Sequence, residues 1–541
     1  MIAIKLALLF WFAWNTRFVM DEFGQLGWAK YLGKELFDTI WPAKAAGSTA
    51  FYKLAHIIGW DARSILLIGR LQTALLACGT LALVYGCARA LGEKRHRALA
   101  IVLALLCFSN FMERSFRTIA EPLALFFAAA ALLAVLRTRG DRFGSLLAAG
   151  VLSGLSFLAT QKAVFFNVAL GLALVSDAAL RRQFAAATRR GALLLAGWLL
   201  PIVGYCFLFG GAGAVAVASN LVLGPSTVVS AQIAAEYGGL RQYVWQTLER
   251  NLLLYLICFA GIGLQLLKLQ HLNSQRRIAL IFSVLITLLV FRHDQPWPYV
   301  FIMCQPLLAL WSLVLIDHLG ARSRQLSFAC LALFIVAAAL SFVRNASYLR
   351  HGNAAQLQLV ERAEALLRKD ERYFDGIGIL PNRSEPSTLW LDRHHVLKTL
   401  REAQHSEAYR VFAKAPPKLI LWSYRMNLVL PVLRPHIRDS YVQIAPNIRY
   451  AGRALRLGHP TKFRVPLAGT YALYDARGNP VAGTIEVGGQ VNSVPVRLEQ
   501  RRLTITLRNG PREALLLPEG NYRGRTVQGP DDPSLFARIY E

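Results

Sequence analysis

The chain has 541 residues, of which 55% are hydrophobic and only 17% are charged, and its formal net charge is +28. A soluble chain usually carries about 25% charged residues, and here the deficit lies before residue 345, where apolar segments of about 17 to 20 residues recur, long enough to cross a bilayer. Many of the basic residues cluster in the short loops between these segments, as membrane topology requires, which argues against nucleic acid as the partner. The chain after residue 345 is also rich in arginine, which leaves attraction to anionic head groups or to an acidic acceptor open.

Eleven apolar segments are predicted to span the membrane. They lie approximately at 2–18, 63–91, 98–111, 118–136, 143–160, 163–178, 191–209, 251–267, 277–291, 299–317 and 326–343. The first resembles a signal peptide, but no small-residue cleavage site follows it before Asp21, so it is interpreted as an uncleaved span.

Alternate connections between the segments are strongly basic. They carry Arg89, Lys94, Arg95 and Arg97; Arg137, Arg139 and Arg142; Arg181, Arg182, Arg189 and Arg190; Lys268, Arg276 and Arg277; and Arg322 and Arg324. Short loops rich in Lys and Arg stay in the cytoplasm. All of these loops fall on one side if the N-terminus starts inside, and an odd number of spans then places the chain from residue 345 onward outside the cytoplasm.

The remaining connections, on the outer side, differ in composition. Segment 19–62 is long and rich in Trp, Tyr and Phe, which favour the membrane interface, so short helices along the membrane surface are expected there. Segment 210–250 is a second long loop, with a glycine-rich start.

Four polar clusters fall at the outer ends of the spans. They are Asp21-Glu22; Glu113, Arg114, Arg117 and Glu121; Gln161-Lys162; and Arg292-His293-Asp294. Ionisable residues at such depths are costly when they face lipid, so they tend to pair or to line a cavity. Together the clusters suit group transfer from a lipid phosphate, because cations can neutralise a phosphate leaving group and a carboxylate can take a proton from an attacking hydroxyl.

Each cluster also has a purely structural interpretation. Asp21 and Glu22 could merely end the first span in water, and His293 could be a hydrogen-bonded loop residue. Arg114, Arg117 and Lys162 could extend to the lipid head groups, as long cationic side chains near helix ends often do. The occurrence of all four clusters on one side favours the functional interpretation.

The chain after residue 345 is predicted to be soluble, with an α/β part at 345–458 and a β-rich part at 459–541. Apolar positions at helical spacing follow Ala354, 416–424 is typical of a buried strand, and the two-residue alternation of strands begins near 460. No catalytic motif occurs there. All seven cysteines lie in the apolar region, where no spacing indicates a metal site.

The first 345 residues resemble the GT-C superfamily of membrane glycosyltransferases, which includes protein O-mannosyltransferases, aminoarabinose transferases of lipid A and GPI-type mannosyltransferases. Four stretches carry the resemblance, namely the acidic pair in "FVMDEFGQ", the turn "RSFRTIAEPLALFF", the span end "GLSFLATQKAVFF" and the loop "RHDQPWPYVF". The third departs from the family pattern, because Gln161 stands where threonine is expected before Lys162.

The resemblance implies a polytopic α-helical fold with a C-terminal extracytoplasmic domain, and inverting transfer of a sugar from a polyprenyl-phosphate donor. It implies that Asp21 is the general base, with Glu22 as its neighbour or substitute. Among the other residues, Arg117, Lys162 and Arg292 would hold the donor phosphate, with Arg114 as a further choice; Glu113, Glu121, His293 and Asp294 would contact substrate. Some relatives use a divalent metal beside the acidic residue, and the sequence leaves a metal near Asp21 open.

The expected location is a bacterial inner membrane, and the acceptor is a lipid, a glycan or a protein. A transporter or flippase of lipid-linked saccharides is the main alternative, although such proteins usually show internal repeats and polar groups at the bilayer midplane. A lipid-phosphate ligase or phosphatase and a non-enzymatic scaffold are further alternatives, of which the scaffold would not need the acidic pair.

Overall fold

A computed structural model describes the chain except for residues 34–44, 140, 229–237, 294–295, 387–409, 411–412, 521, 523–528, 533 and 537–541. The contacts divide the chain into two compact units. The membrane unit comprises Met1–Thr16, Leu32–Ala55 and Leu67–Gly352. The C-terminal unit comprises Arg17–Tyr31, His56–Leu66 and Asn353–Glu541, and so includes two segments from the start of the chain.

Up to residue 350, the secondary structure of the described residues is almost entirely helical. Its α-helices are α1 Ile2–Asn15, α2 Met20–Lys30, α3 Gly47–Ile58, α4 Ala62–Ala90, α5 Arg95–Cys107, α6 Ser109–Arg114, α7 Ala120–Arg137, α8 Phe143–Ala159, α9 Val164–Leu180, α10 Phe184–Gly210, α11 Ala214–Val228, α12 Gln242–Arg250, α13 Leu252–Leu266, α14 Ser274–Arg292, α15 Gln305–Ala309, α16 Val314–Gly320 and α17 Arg324–Ser347. Short 3-10 turns lie at Gln161–Ala163, Gly211–Gly213, Gly238–Arg241, Leu269–His271, Val300–Met303 and Tyr348–Arg350.

The helices make the chain a polytopic membrane protein. Over the described residues, six helices are long and apolar enough to cross a membrane, or seven if the bent pair α12–α13 forms one span. Three further stretches, α1, α8 and Gln305–Gly320, are apolar but shorter. The predicted count of eleven spans is not confirmed.

Two predicted spans are not straight helices. Helices α12 and α13 meet at 90°, with Asn251 between them. The predicted span 299–317 consists of a 3-10 turn followed by α15 and α16, and Pro306 stands in the first turn of α15. Proline has no N–H to donate, so it is tolerated in the first turn of a helix but not in its interior.

One continuous apolar core, drawn from most of these helices, stabilises the membrane unit. Helix α1 belongs to it: Leu9 and Phe12 are fully buried, and the buried Lys5 donates from Nζ to Oδ1 of Asn345 at 3.1 Å. A buried ammonium needs such an acceptor, because leaving it without hydrogen bonds would be costly. The first apolar segment is therefore a packed element of this unit.

An ion-pair network at the ends of α9, α10 and α14 explains several arginines of the basic loops. The carboxylate of Asp177 is fully buried and accepts hydrogen bonds from Arg190 at 2.9 Å, from Arg277 at 2.7 Å and from Ser274 at 2.6 Å. The arginines Arg190 and Arg277 come from two of the loops predicted to face the cytoplasm. Their charges connect neighbouring helices.

Among its described residues, the C-terminal unit contains helices α18 Ala354–Ala365 and α19 Met426–Ser440 and three sheets. The strands are β1 Tyr373–Phe374, β2 Leu419–Leu421, β3 Tyr441–Ala445, β4 Ile448–Ala451, β5 Arg453–Arg456, β6 Pro460–Arg464, β7 Gly469–Tyr474, β8 Pro480–Val481, β9 Thr484–Val487, β10 Gln490–Ser493, β11 Val496–Leu498, β12 Arg502–Asn509 and β13 Glu513–Pro518. Their orders are β1-β2-β4-β3, β10-β9-β12-β6 and β11-β7-β13-β5, with β8 paired to β7.

The last two sheets share one core. Phe463 of β6 and Ile505 of β12 lie in the same buried cluster as Tyr471 of β7 and Leu516 of β13. Alternation of buried and exposed residues along a strand gives each sheet one apolar face, and the two faces pack together. The predicted β-rich C-terminal part is confirmed.

Candidate active site

The acidic pair lies in the first turn of α2, which belongs to the C-terminal unit. The carboxylate of Glu22 is fully buried, and its Oε1 accepts a hydrogen bond at 3.0 Å from the backbone N–H of Val19, the residue that precedes the helix. This hydrogen bond gives a partner to a backbone N–H at the start of the helix, where the N–H groups have no acceptor within the helix. Asp21 is partly exposed. The two carboxylates therefore differ: Glu22 caps the helix, and Asp21 is the one that solvent reaches.

Helix α2 is held by residues from the far end of the chain. The buried amide of Gln356 accepts from the backbone N–H of Phe18 at 2.7 Å and donates to the carbonyls of Phe18 at 3.1 Å and Leu535 at 2.7 Å. The ring of Phe23 packs against that of Phe536, with centroids 5.7 Å apart. The position of the acidic pair thus depends on the folding of the C-terminal unit.

A buried polar cluster lies beside the start of α2. The Arg425 guanidinium contacts the Met20 sulfur at 3.2 Å and donates to the carbonyl of Gly376 at 2.9 Å. Asp375 accepts three backbone N–H groups, from Ile377, Gly378 and Ile379.

The carboxyl of Glu385 is close to that of Asp375, and both are buried. Burial raises the pKa of both carboxyls, and the neighbouring Asp375 raises the pKa of Glu385 further. The backbone donors favour the ionised form of Asp375. Of the two carboxyls, Glu385 is therefore the one at which the neutral form is favoured more.

In the membrane unit, the turn between α6 and α7 is the most polar buried region that the sequence singled out. Glu113, Arg114, Arg117 and Glu121 are all at most 6% exposed. Glu113 pairs with Arg250 at 2.8 Å, and the Nε of Arg117 donates to the Glu113 carbonyl at 3.2 Å. So many buried ionisable groups in a membrane protein indicate a functional site by default.

Lys162 joins this region. Its Nζ lies 2.8 Å from the Oε1 of Glu121, 41 positions earlier in the chain, and 4.7 Å from the ring centroid of Tyr299. The ring of His293 packs edge-on against Phe165 at 5.4 Å. Arg292, the last residue of α14, is exposed. The predicted contact residue Asp294 lies outside the described residues.

Three residues near the turn were missed by the sequence reasoning. Arg250, the partner of Glu113, directly precedes an apolar segment on the predicted outer side, which could have drawn attention to it. Arg70 is fully buried in the long apolar helix α4, where it donates to the Thr16 carbonyl and faces the ring of Phe116 at 5.6 Å. Tyr52 donates to the carbonyl of Ile119 at 2.7 Å. The sequence indicated it only as one of the aromatic residues of segment 19–62 that favour the membrane interface.

No group of three or more His, Cys, Asp or Glu side chains that could hold a metal ion occurs in the part of the chain that the structure describes.

Comparisons with known proteins give two kinds of match. In sequence, residues 397–450 match a family described as a domain of unknown function, DUF7056, and residues 454–518 match another, DUF7055. No curated protein matches the chain.

In structure, the chain is similar to ArnT from Cupriavidus metallidurans bound to undecaprenyl phosphate, with a TM-score of 0.54 at 13% identity, covering 83% of this chain and 97% of ArnT. The apo state of ArnT gives a TM-score of 0.53 at 13% identity, with 83% and 96% covered. The oligosaccharyltransferase AglB from Archaeoglobus fulgidus, in complex with an inhibitory peptide and a dolichol-phosphate, gives a TM-score of 0.45 at 12% identity, with 94% and 76% covered.

The likeness to ArnT, an aminoarabinose transferase, spans nearly its whole length. The chain therefore has the fold of the GT-C membrane glycosyltransferases.

Proposed function

We propose that the protein transfers a sugar from a polyprenyl-phosphate donor to an extracytoplasmic acceptor. The observation that carries the proposal is the buried ionisable region at the α6–α7 turn, in a chain with the fold of ArnT. ArnT has been solved with undecaprenyl phosphate. Buried cations near a span end suit the phosphate of such a lipid, because hydrogen bonds between cations and phosphate are among the strongest in proteins.

The proposed chemistry is inverting transfer. The acceptor hydroxyl oxygen forms a bond to the anomeric carbon while the bond from that carbon to the donor phosphate oxygen breaks. Asp21 takes the proton of the hydroxyl, since its carboxylate is partly exposed. The electron pair leaves with the phosphate, and cationic side chains stabilise the charge that develops there.

Within this proposal, Lys162, Arg117 and Arg292 are the donor-phosphate residues, with Arg114 as a further one. Lys162 is held in place by the Glu121 carboxylate, which fits Glu121 to an orienting role. Arg117 is held by the backbone carbonyl of Glu113, so the Glu113 carboxylate keeps its proposed role as a substrate contact. His293 and Asp294 remain proposed substrate contacts. Glu22 is proposed to position Asp21 by capping α2, instead of replacing it as the base.

The proposed location is the inner membrane of a bacterium, with the C-terminal unit on the periplasmic side. The acceptor is a lipid, a glycan or a protein. A divalent metal beside Asp21 is compatible with the proposal, and activity with EDTA, followed by addition of Mg²⁺ or Mn²⁺, determines whether one is needed.

The experiment compares sugar transfer from a labelled polyprenyl-phosphate donor pool in membranes that contain equal amounts of wild type, Asp21→Asn, Glu22→Gln and Asp370→Asn. Asp370 is an exposed carboxylate of the same unit and serves as the matched control. We expect Asp21→Asn to lose transfer by at least about a hundredfold, the scale of general base catalysis. Glu22→Gln retains most of the activity, because an amide oxygen can still accept the Val19 N–H.

Loss of transfer in Glu22→Gln but not in Asp21→Asn would assign the base to Glu22. No transfer by the wild type from any donor would point to the transporter of lipid-linked saccharides instead.

A further inference from the structure

A basic cavity of about 250 Å³, open to solvent on one side, is formed by residues of the C-terminal unit between helix α19 and the strands β6 and β12. Its lining includes His436 and Ser440 of α19 and the three arginines Arg464, Arg501 and Arg502. The two regions with a family match both contribute, since His436 lies in 397–450 and the arginines lie in 454–518. The cavity belongs to neither the acidic helix α2 nor the membrane unit.

The arginines are brought together by strand register. Arg502 is the residue directly opposite Arg464 in the antiparallel pair β12–β6, and the Arg501 carbonyl accepts from the Val465 N–H at 3.0 Å. Like charges that face each other across a sheet destabilise it. An unfavourable arrangement of this kind is most easily explained by an anion that the arginines bind together.

No acidic residue is among the described residues that line the cavity. The nearby Asp439 pairs with Arg438 instead, at 3.1 Å. Burial and the neighbouring Arg502 lower the pKa of His436, which favours the neutral form of its ring. Its Nδ1 accepts from Arg464 at 2.6 Å, as a neutral ring can. The described lining therefore carries three positive charges and no opposing carboxylate.

We propose that this cavity binds a phosphate monoester carried by a small saccharide or head group. Guanidinium groups match phosphate oxygens in geometry, and several of them together favour a group of nearly two negative charges over a single carboxylate. The size fits a phosphate with about one sugar ring, being just below the usual range for small-ligand sites. The proposal does not depend on glycosyl transfer, because binding is measurable without turnover.

The test is calorimetric titration of the full-length protein in detergent with inorganic phosphate, glucose 6-phosphate, glucuronate and glucose. Wild type is compared with Arg501→Gln/Arg502→Gln and with the control Arg497→Gln, which is exposed on β11 of the same unit and does not line the cavity. A thermal melt of each variant verifies folding. Arg501 and Arg502 are exposed, so their replacement leaves the core intact.

We expect glucose 6-phosphate to bind at least about tenfold more tightly than glucuronate, with no binding of glucose. The double variant weakens binding by about tenfold or more, the scale of one lost hydrogen bond between charged groups, and Arg497→Gln changes it less than twofold. Co-sedimentation with vesicles containing phosphatidic acid, compared with phosphatidylcholine vesicles, distinguishes a lipid head group from a soluble sugar phosphate. Equal affinity of wild type and folded double variant for glucose 6-phosphate, or no binding by wild type, overturns the proposal and leaves the proposed transfer untouched.

Discussion

Lys162 makes two contacts at once, a salt bridge to the predicted site residue Glu121 and a cation–π contact with the ring of Tyr299. Its side chain is 26% exposed and that of Glu121 is 5% exposed, so the carboxylate depends on the ammonium more than the reverse. Removal of one partner from a buried pair costs about 3–5 kcal/mol at the extreme, because the other charge stays buried and unpaired.

We therefore expect Lys162→Met to reduce transfer at low donor concentration by about 10- to 100-fold, the scale of one hydrogen bond to a charged phosphate. The loss should exceed that in Lys162→Arg, which keeps the charge. Transfer kinetics at varied donor concentration in proteoliposomes measure the effect, with the exposed Lys268→Met as control. Adding Glu121→Gln should restore thermal stability but not activity; recovery of both would mean that Lys162 only balances a buried charge.

Glu385 gives a prediction about pH. Burial and the neighbouring Asp375 raise the pKa of Glu385 well above its usual range, whereas the unfolded chain releases this proton near pH 4.3. Above that pH the folded state holds more protons than the unfolded state, so the free energy of unfolding falls as pH rises towards the folded pKa.

Glu385→Gln removes this decrease in the free energy of unfolding. At pH 7.5 we expect the Tm of the variant to exceed that of the wild type by at least about 2 °C, since one pKa unit corresponds to about 1.4 kcal/mol. The difference should vanish near pH 4, and the exposed Glu361→Gln should show no such trend. Thermal melts across pH 4–8 measure it. A lower Tm for Glu385→Gln at every pH would show that Glu385 is ionised and needed in the fold.

At the scale of elements, helices α8 and α10 approach closely through glycines. A Cβ on Gly150 would lie 2.3 Å from the Leu194 carbonyl oxygen and 2.8 Å from the Gly197 Cα, and one on Gly197 would lie 2.3 Å from the Leu147 carbonyl oxygen. Small residues permit such contact between membrane helices, where packing is a main source of association.

Gly150→Leu should therefore lower the stability of the membrane unit by more than about 3 kcal/mol, beyond the usual cost of overpacking, because backbone atoms stand in the way. Gly204→Leu, on α10 with nothing within 4 Å of its Cβ, is the matched control. Thermal melts followed by size-exclusion chromatography in detergent measure both variants. Equal melting of the two would show that the helices do not pack at Gly150.

The sequence predicts the helices of the membrane unit better than their shapes. Continuous hydropathy locates α1, α4, α7, α8 and α17, because a span must be apolar along its length. Mean hydropathy is the same for a straight and a bent segment, however. It shows neither the 90° bend between α12 and α13 nor the interruptions between residues 300 and 320.

For the candidate site, too, only part of the arrangement could be predicted from the sequence. Loop charges predict which residues share one side of the membrane, but not which of them touch. The contact of Lys162 with Glu121 and that of Arg250 with Glu113, 137 positions apart, depend on helix packing. The role of Glu22 could have been predicted, because a glutamate at the third helical position is a known cap. The support of α2 by Gln356, 338 positions from Phe18, could not.

At the scale of the whole molecule, the C-terminal unit contributes to the proposed chemistry as well as the membrane unit does. It contains α2, and with it Asp21, together with the side chains that fix α2. Its sidedness therefore decides whether the proposed base faces an extracytoplasmic acceptor. The charges of the loops predict that it does, since all the basic loops then lie in the cytoplasm.

Cysteine labelling tests that orientation directly. Six of the seven native cysteines are buried, so Cys78→Ser gives a background that labels weakly. In that background, cysteines at the exposed positions Gln490 and Arg292 should react with a membrane-impermeant maleimide in intact spheroplasts, whereas cysteines at Lys268 and Arg322 should react only after permeabilisation. The reverse pattern would place Asp21 in the cytoplasm, where the proposed acceptor is absent. Labelling of Gln490 and Lys268 from the same side would instead mean that an even number of spans separates Lys268 from the C-terminal unit, whereas the sequence predicts three.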